Sequence, residues 1–214
     1  MSRICVSLAE PGLERCLAAL QGLDLAEIRL DRTGLSLGDI RILFRSSARL
    51  IATFRPDGGS EEEREGALRA AIESGAAYVD LELEASPASR DRLIAAARAH
   101  RRLVIVSHHD FVKTPARAEL ENIREACFRA GADIAKIACR AQEAADSARL
   151  LALYETPRPL IALGLGEAGL VTRIAALFLG APFTYAALEP GKETADGQLD
   201  AARLRAVFDV LRHG

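Results

Sequence analysis

Two stretches decide the fold: ESGAAYVDLEL at residues 73–83 and RAGADIAKIAC at residues 129–139. In each, a helix-like run stops at a glycine, Gly75 or Gly131, and a short apolar run follows at once. Glycine accepts the left-handed conformation that ends a helix. An apolar run without strict polar alternation fits a strand buried on both faces, as in a parallel sheet. Working outward, the same unit recurs along the chain. Strands are predicted at 3–8, 26–31, 50–55, 78–83, 103–107, 133–139, 160–163 and 183–187, eight in all. Helix-like stretches lie between and after them, at about 11–21, 37–46, 60–74, 87–100, 115–130, 141–154, 167–180 and 199–212. Eight β-then-α units predict an α/β protein, a (β/α)8 TIM barrel. At 214 residues it is a compact one, since such barrels run to ~250 residues with a floor of about 200. An open Rossmann or flavodoxin-like sheet leaves two or three units unplaced, and no GxGxxG follows the first strand. Nothing reads as a Pro/Gly/Ser-rich linker, so residues 1–214 read as a single domain.

Local signals place several helix ends. Ser60 followed by Glu63 is a capping box. Ser86-Pro87 and Thr114-Pro115 each set a cap residue before a proline at the first helical position. Leu120, Ile123, Cys127 and Ala130 share one helical face and mark it as the core side.

Half the residues are apolar, and the formal charge is only −2. That balance points away from nucleic acid or an anionic membrane as a partner. No apolar run reaches the ~20 residues of a membrane helix, and the first ten residues lack the apolar core of a signal peptide. Cys5, Cys16, Cys127 and Cys139 form no CxxC pair and read as small buried residues in a reducing cytoplasm. Only three of the 28 Lys and Arg residues are lysines, at 113, 136 and 192.

In a parallel barrel the active site lies at the carboxyl ends of the strands. The polar residues falling there are Glu27, Arg29, Arg55, Asp80, Glu82, His108, His109 and Lys136, with Lys192, Thr194 and Gln198 after the last strand. Alternation puts Ile134, Lys136 and Ala138 on one face of their strand. Burial there strips the ammonium of water and favours the neutral amine that attack on a ketone requires. A lysine that merely pairs with a carboxylate is the plainer reading of the same spacing. A histidine at a strand end can move protons near neutral pH. Neighbouring strand residues point oppositely, so at most one of His108 and His109 is expected to face the site. Glu82 can orient an imidazole, with Asp80 on its side of the strand. Glu27, Arg29 and Arg55 make a polar cluster able to fork onto a carboxylate or diol, or to form a structural ion-pair network.

These motifs, in this order, resemble one family. EIRLD at 27–31, TFR at 53–55, VDLEL at 79–83, SHHDFVKTP at 107–115, DIAKIA at 133–138 and GLGEAGLVTR at 164–173 resemble type I 3-dehydroquinate dehydratases. GKETADGQ at 191–198 resembles their substrate-covering loop, and the likeness runs from about residue 5 to the last helix. It implies a (β/α)8 barrel, with the Schiff-base lysine at Lys136, the acid/base histidine at His109 rather than His108, and its glutamate partner at Glu82. It places substrate binding at Glu27, Arg29 and Arg55, carboxylate binding at Arg173, and the loop's hydroxyl and amide at Thr194 and Gln198. Two departures stand out. Thr172 precedes Arg173 where serine is common, and Asp196 replaces the loop's usual proline, freeing the backbone and adding a negative charge.

The resemblance implies dehydration of 3-dehydroquinate to 3-dehydroshikimate, a lyase step of the shikimate pathway serving aromatic amino acid biosynthesis. It needs no cofactor and no metal, and implies a cytoplasmic homodimer. Two other readings are a class I Schiff-base aldolase, which would want a phosphate-binding pattern near Gly191 and Gly197, and an inactive barrel serving as a ligand-binding protein.

Overall fold

The computed structural model describes residues 3–213; Met1, Ser2 and Gly214 lie outside the described residues. Strand β1 (Ile4–Leu8) leads to α1 (Leu13–Ala19), β2 (Leu25–Arg29) to α2 (Leu30–Thr33) and α3 (Leu37–Leu43), and β3 (Arg49–Thr53) to α4 (Glu61–Ser74). Next come β4 (Tyr78–Glu82) with α5 (Pro87–Ala99), and β5 (Leu103–Asp110) with α6 (Arg117–Arg129). Then follow β6 (Ile134–Arg140) with α7 (Ala144–Leu151), β7 (Leu160–Leu165) with α8 (Leu170–Phe178), and β8 (Thr184–Ala187) with α9 (Ala201–His213). The strands pair in parallel in the order β7-β6-β5-β4-β3-β2-β1-β8. This is the expected (β/α)8 barrel. Its two end strands, β7 and β8, both contact α8.

The core follows from the strand composition. Outward-facing Val79, Leu81, Val104 and Val106 are buried beneath the helices, and Leu68, Leu93, Leu120 and Leu150 come in from the helix side. Each fully buried aliphatic side chain contributes ~1.5–3 kcal/mol. The face predicted for α6 is observed: Leu120 and Cys127 are buried, with Ile123 and Ala130 packed on the core. All four cysteines are buried and free of disulfides.

The glycine stops and the Ser60 capping box hold: Gly75 and Gly131 have φ of 133° and 99°, and Ser60 exchanges bonds with Glu63. A second capping box, Ser36 with Asp39, opens α3. Pro87 does begin α5. Thr114-Pro115 does not begin a helix. α6 starts at Arg117, because the Thr114 hydroxyl is spent on the Arg140 carbonyl, 2.7 Å away, tying this loop to the end of β6. Several strand ends also differ. β5 runs on to Asp110, paired with β6 through His109↔Ala138 and Asp110↔Cys139. β3 stops at Thr53, so Arg55 lies in the loop beyond it.

Candidate active site

The barrel mouth holds a cavity of about 720 Å³, within the usual range for small-molecule sites. It is built by register. Glu82 is level with Ser107, and Ser107 with Lys136, so three adjacent strands bring these side chains to one height inside the barrel. Lys136 is only 5% exposed. Its Nζ donates to Asp80 Oδ2 at 2.8 Å and to Glu27 Oε2 at 3.4 Å, and the Tyr185 ring centroid lies 4.3 Å away. Burial is thus as expected, and the charge is paired as well.

Glu27 is fully engaged at depth: it accepts from Ser7 Oγ at 2.6 Å and Thr53 Oγ1 at 3.1 Å, besides Lys136. Burial pushes its carboxyl up, but Lys136 and Arg55 more than offset this and leave it below the usual carboxylate range. Asp80 is held low in the same way: burial opposes ionisation, and Arg55 and Lys136 outweigh it. Its other oxygen accepts from Ser107 Oγ at 2.5 Å. Arg55 bridges the two β4 carboxylates, donating to Glu82 and, at 3.2 Å, to Asp80 Oδ2. Arg29 is turned to Asp31 in a two-pronged pair of 3.0 and 2.6 Å.

His109 Nδ1 lies 3.0 Å from Glu82 Oε2. Burial lowers the affinity of His109 for a second proton, Arg55 lowers it further, and Glu82 only partly restores it. A neutral imidazole therefore donates from Nδ1 to Glu82, leaving Nε2 as an open base. Phe111, otherwise exposed, stacks on this ring at 5.9 Å. His108 was expected to face away. Instead both histidines line the cavity, His108 through its hydrogen bond to Glu84, which lines it too. The two differ in partner: His108 binds Glu84, whose hydrogen bond raises its proton affinity.

Arg173 enters from α8, and its position is set by a tight turn. A Cβ on Gly169 would lie 2.3 Å from the Gly164 carbonyl carbon, so the loop after β7 closes only with glycine at both positions. Thr172 then staples the turn, accepting from Gly164 N–H at 2.7 Å and donating to Gly169 O at 2.6 Å. Arg173 itself is 2% exposed and has no carboxylate partner among the described residues. Nη2 donates to the Asp196 carbonyl at 3.2 Å, and Nε finds no acceptor. Burial with so little compensation pulls its guanidinium down to about 10. A buried cation left open toward a cavity is a receptor for an anion.

The loop after β8 covers this end. Gln198 Oε1 accepts from the Thr194 N–H at 2.9 Å and from its hydroxyl at 3.3 Å. The charge added by Asp196 does not face the cavity unpaired; Arg140, at the end of β6, binds it. At the other end Lys192 binds Glu10, after β1, at 2.9 and 3.0 Å.

All nine residues that the resemblance assigns to the site line one cavity: Glu27, Arg29, Arg55, Glu82 and His109, then Lys136, Arg173, Thr194 and Gln198. Asp80, named from the sequence only as a neighbour of Glu82, and Tyr185 and Arg140 were given no role there. Alternation does put Asp80 beside Glu82, and a second acid on a buried strand signals a buried cation to be matched. Tyr185 and Arg140 carried no such signal. Among the described residues no His, Cys, Asp or Glu cluster is placed to hold a metal ion, and no helix is long and apolar enough to cross a membrane.

The profile of the family described as type I 3-dehydroquinase matches residues 4–214. The chain belongs to the type I 3-dehydroquinase family. The 3-dehydroquinate dehydratase of Desulfotalea psychrophila is 36% identical over 96% of this chain and 96% of its own. That of Methanosarcina mazei is 33% identical over 98% of this chain and 94% of its own. The solved 3-dehydroquinate dehydratase of Enterococcus faecalis superposes with a TM-score of 0.83 at 26% identity, covering 98% of this chain and 93% of the other. A type I 3-dehydroquinase is a hydro-lyase.

Proposed function

We propose that this protein dehydrates 3-dehydroquinate to 3-dehydroshikimate, in the shikimate pathway, through a Schiff base on Lys136. The observation that carries the reading is Lys136 itself, a lysine buried at 5% exposure in a cavity beside a neutral histidine. Lys136 passes one ammonium proton to His109 Nε2, and the neutral Nζ then adds to the C3 ketone. His109 Nε2 relays the protons that turn the carbinolamine into an iminium and release the first water. The iminium draws electrons from C2, whose proton passes to His109. The resulting enamine expels the C1 hydroxyl, which takes that proton from His109 and leaves as the second water. Hydrolysis of the conjugated iminium consumes one water and frees the product and Lys136. The net change is loss of one water.

Glu82 holds the imidazole by its Nδ1–H and balances the imidazolium formed in mid-cycle. Arg173 and Gln198 take the substrate carboxylate; the open, buried guanidinium supports that role. Glu27, Arg29, Arg55 and Thr194 are assigned to ring hydroxyls. The Arg29–Asp31 and Arg55–Glu82 pairs hold these cations ready rather than free. The chemistry requires no cofactor. The working form is assigned as a cytoplasmic homodimer; exposed Phe178 at the end of α8, Leu179 just after it, and Val210 and Leu211 on α9 offer apolar surface for the contact.

Borohydride reduction in the presence of 3-dehydroquinate tests the reading. A stable mass increase mapped to Lys136, lost in K136A, is expected. Turnover without an adduct would reject the covalent route. Neither adduct nor turnover from folded protein would reject the substrate, and phosphorylated aldolase substrates would be tried next.

A further inference from the structure

The tyrosine beneath Lys136 has no place in the scheme above. Tyr185 is 3% exposed and lines the cavity floor. Its hydroxyl finds no hydrogen-bond partner, so the hydroxyl is not what fixes this side chain. The ring is held by its neighbours instead. It meets Phe183 edge-to-face at 5.6 Å, and Phe183 meets Tyr78 likewise at 5.7 Å, an aromatic layer closing the lower barrel. Against that fixed ring stands Lys136 Nζ, 4.3 Å from the centroid.

We propose that the Tyr185 ring is a positioning residue for Lys136, a π platform that aims its ammonium in the free enzyme and stabilises the iminium cation during turnover. The inference rests on the Schiff-base reading and deepens it. An ammonium has three N–H donors, two of which Asp80 and Glu27 take. A protonated iminium nitrogen retains one. At most one of those carboxylates then keeps its hydrogen bond, just when the positive charge must be stabilised. The attraction of a ring face for a cation needs no N–H and suits a flat cation. Once the C2 proton leaves, the neutral enamine no longer gains from it. The ammonium of the ketone complex keeps both carboxylate hydrogen bonds and the iminium at most one, so loss of the ring weighs more on the iminium than on binding of the ketone.

The test compares Y185F, which keeps the ring, with Y185L, which removes it, after wild-type trapping has placed the adduct on Lys136. Y185F should keep kcat within about twofold. Y185L should lose kcat by about 10- to 30-fold, the weight of a desolvated cation–π contact, with KM changed less than threefold. Equal kcat in the two variants, whether high or low, overturns the proposal. If Y185L fails to fold, phenylalanines bearing one, two and three fluorines at position 185 replace it. These keep the shape and weaken the ring's negative face. A stepwise fall in kcat along that series is expected, and a flat series overturns the proposal. Failure of the trapping itself sinks the Schiff-base reading, whereas trapping with a flat series sinks only this inference.

Discussion

Replacing Asp80 with asparagine swaps one oxygen for an amide nitrogen, yet the structure makes it a severe change. The Asp80 side chain is fully buried. Oδ1 accepts from Ser107, which an amide oxygen can also do, but Oδ2 receives both Lys136 at 2.8 Å and Arg55 at 3.2 Å. In the variant an NH2 group faces two cations, and Lys136 keeps only Glu27 at 3.4 Å. Removing one partner of a buried ion pair costs about 3–5 kcal/mol, because the remaining charge stays desolvated. For a chain of this length each kcal/mol is ~2–4 °C in Tm, so D80N should melt about 6–20 °C below the wild type at pH 7. Calorimetry and urea unfolding measure this directly. The pH dependence provides a second check. The Asp80 carboxyl is held below its unfolded value of about 3.9, so its contribution is complete above that pH and is lost as pH falls toward the lower folded value. The gap between the two proteins should therefore narrow below about pH 4. A Tm within ~2 °C of wild type at pH 7 would refute the reasoning.

Other outcomes follow from the same geometry. R173M removes a buried cation without a carboxylate partner, so unfolding free energy should hold or rise, while KM increases ~10- to 150-fold for the lost charge-assisted bonds; a marked drop in stability would show that Arg173 is structural. Because burial and Arg55 hold His109 below the ordinary histidine value, the acid limb of kcat/KM should fall below about pH 6.5, and a limb above that value would contradict a neutral resting imidazole. The stability sign agrees: the unfolded chain takes the proton first as pH falls, so this contribution is present above pH ~6.5 and declines below it. H109N should lower kcat ~10²- to 10⁴-fold with Tm little changed. G169A should cost ~1–3 kcal/mol, since the added Cβ meets Gly164 backbone at 2.3–2.6 Å, and should raise KM through displaced Arg173; unaltered unfolding would mean that the turn yields more readily than its geometry implies.

Much of the fold was legible because a parallel barrel writes each unit locally. Gly75 and Gly131 stop helices by their own conformational freedom, and each apolar strand follows at once. The Thr114-Pro115 misreading shows the limit. Its cap pattern was sound, but a carbonyl 26 residues away claimed the hydroxyl, and no local pattern reports such a competitor. His108 likewise followed the alternation rule and still reached the cavity, because it binds Glu84, a residue that also lines the cavity. Among candidate site residues, Lys136 and Glu82 were readable from alternation and residue chemistry, whereas the choice of His109 over His108 came from the family resemblance alone. Asp80 was half-visible, as a second acid on the same face. Tyr185 was silent: a tyrosine in an apolar strand reads as core until the lysine across the barrel is seen 4.3 Å from its ring.

The covering loop bears on how such enzymes can be rebuilt. Barrel loops are commonly treated as exchangeable parts carried on an indifferent frame. This one is tied at Lys192 to Glu10 and at Asp196 to Arg140, charges of opposite order rooted after β1 and at the end of β6. A donor loop bearing proline at position 196 would strand Arg140 without its carboxylate, and moving this loop elsewhere would strand Asp196. The transplantable piece is therefore a discontinuous triad of segments, and a graft that ignores its two distant anchors inherits the contacts of Thr194 and Gln198 without the geometry that aims them.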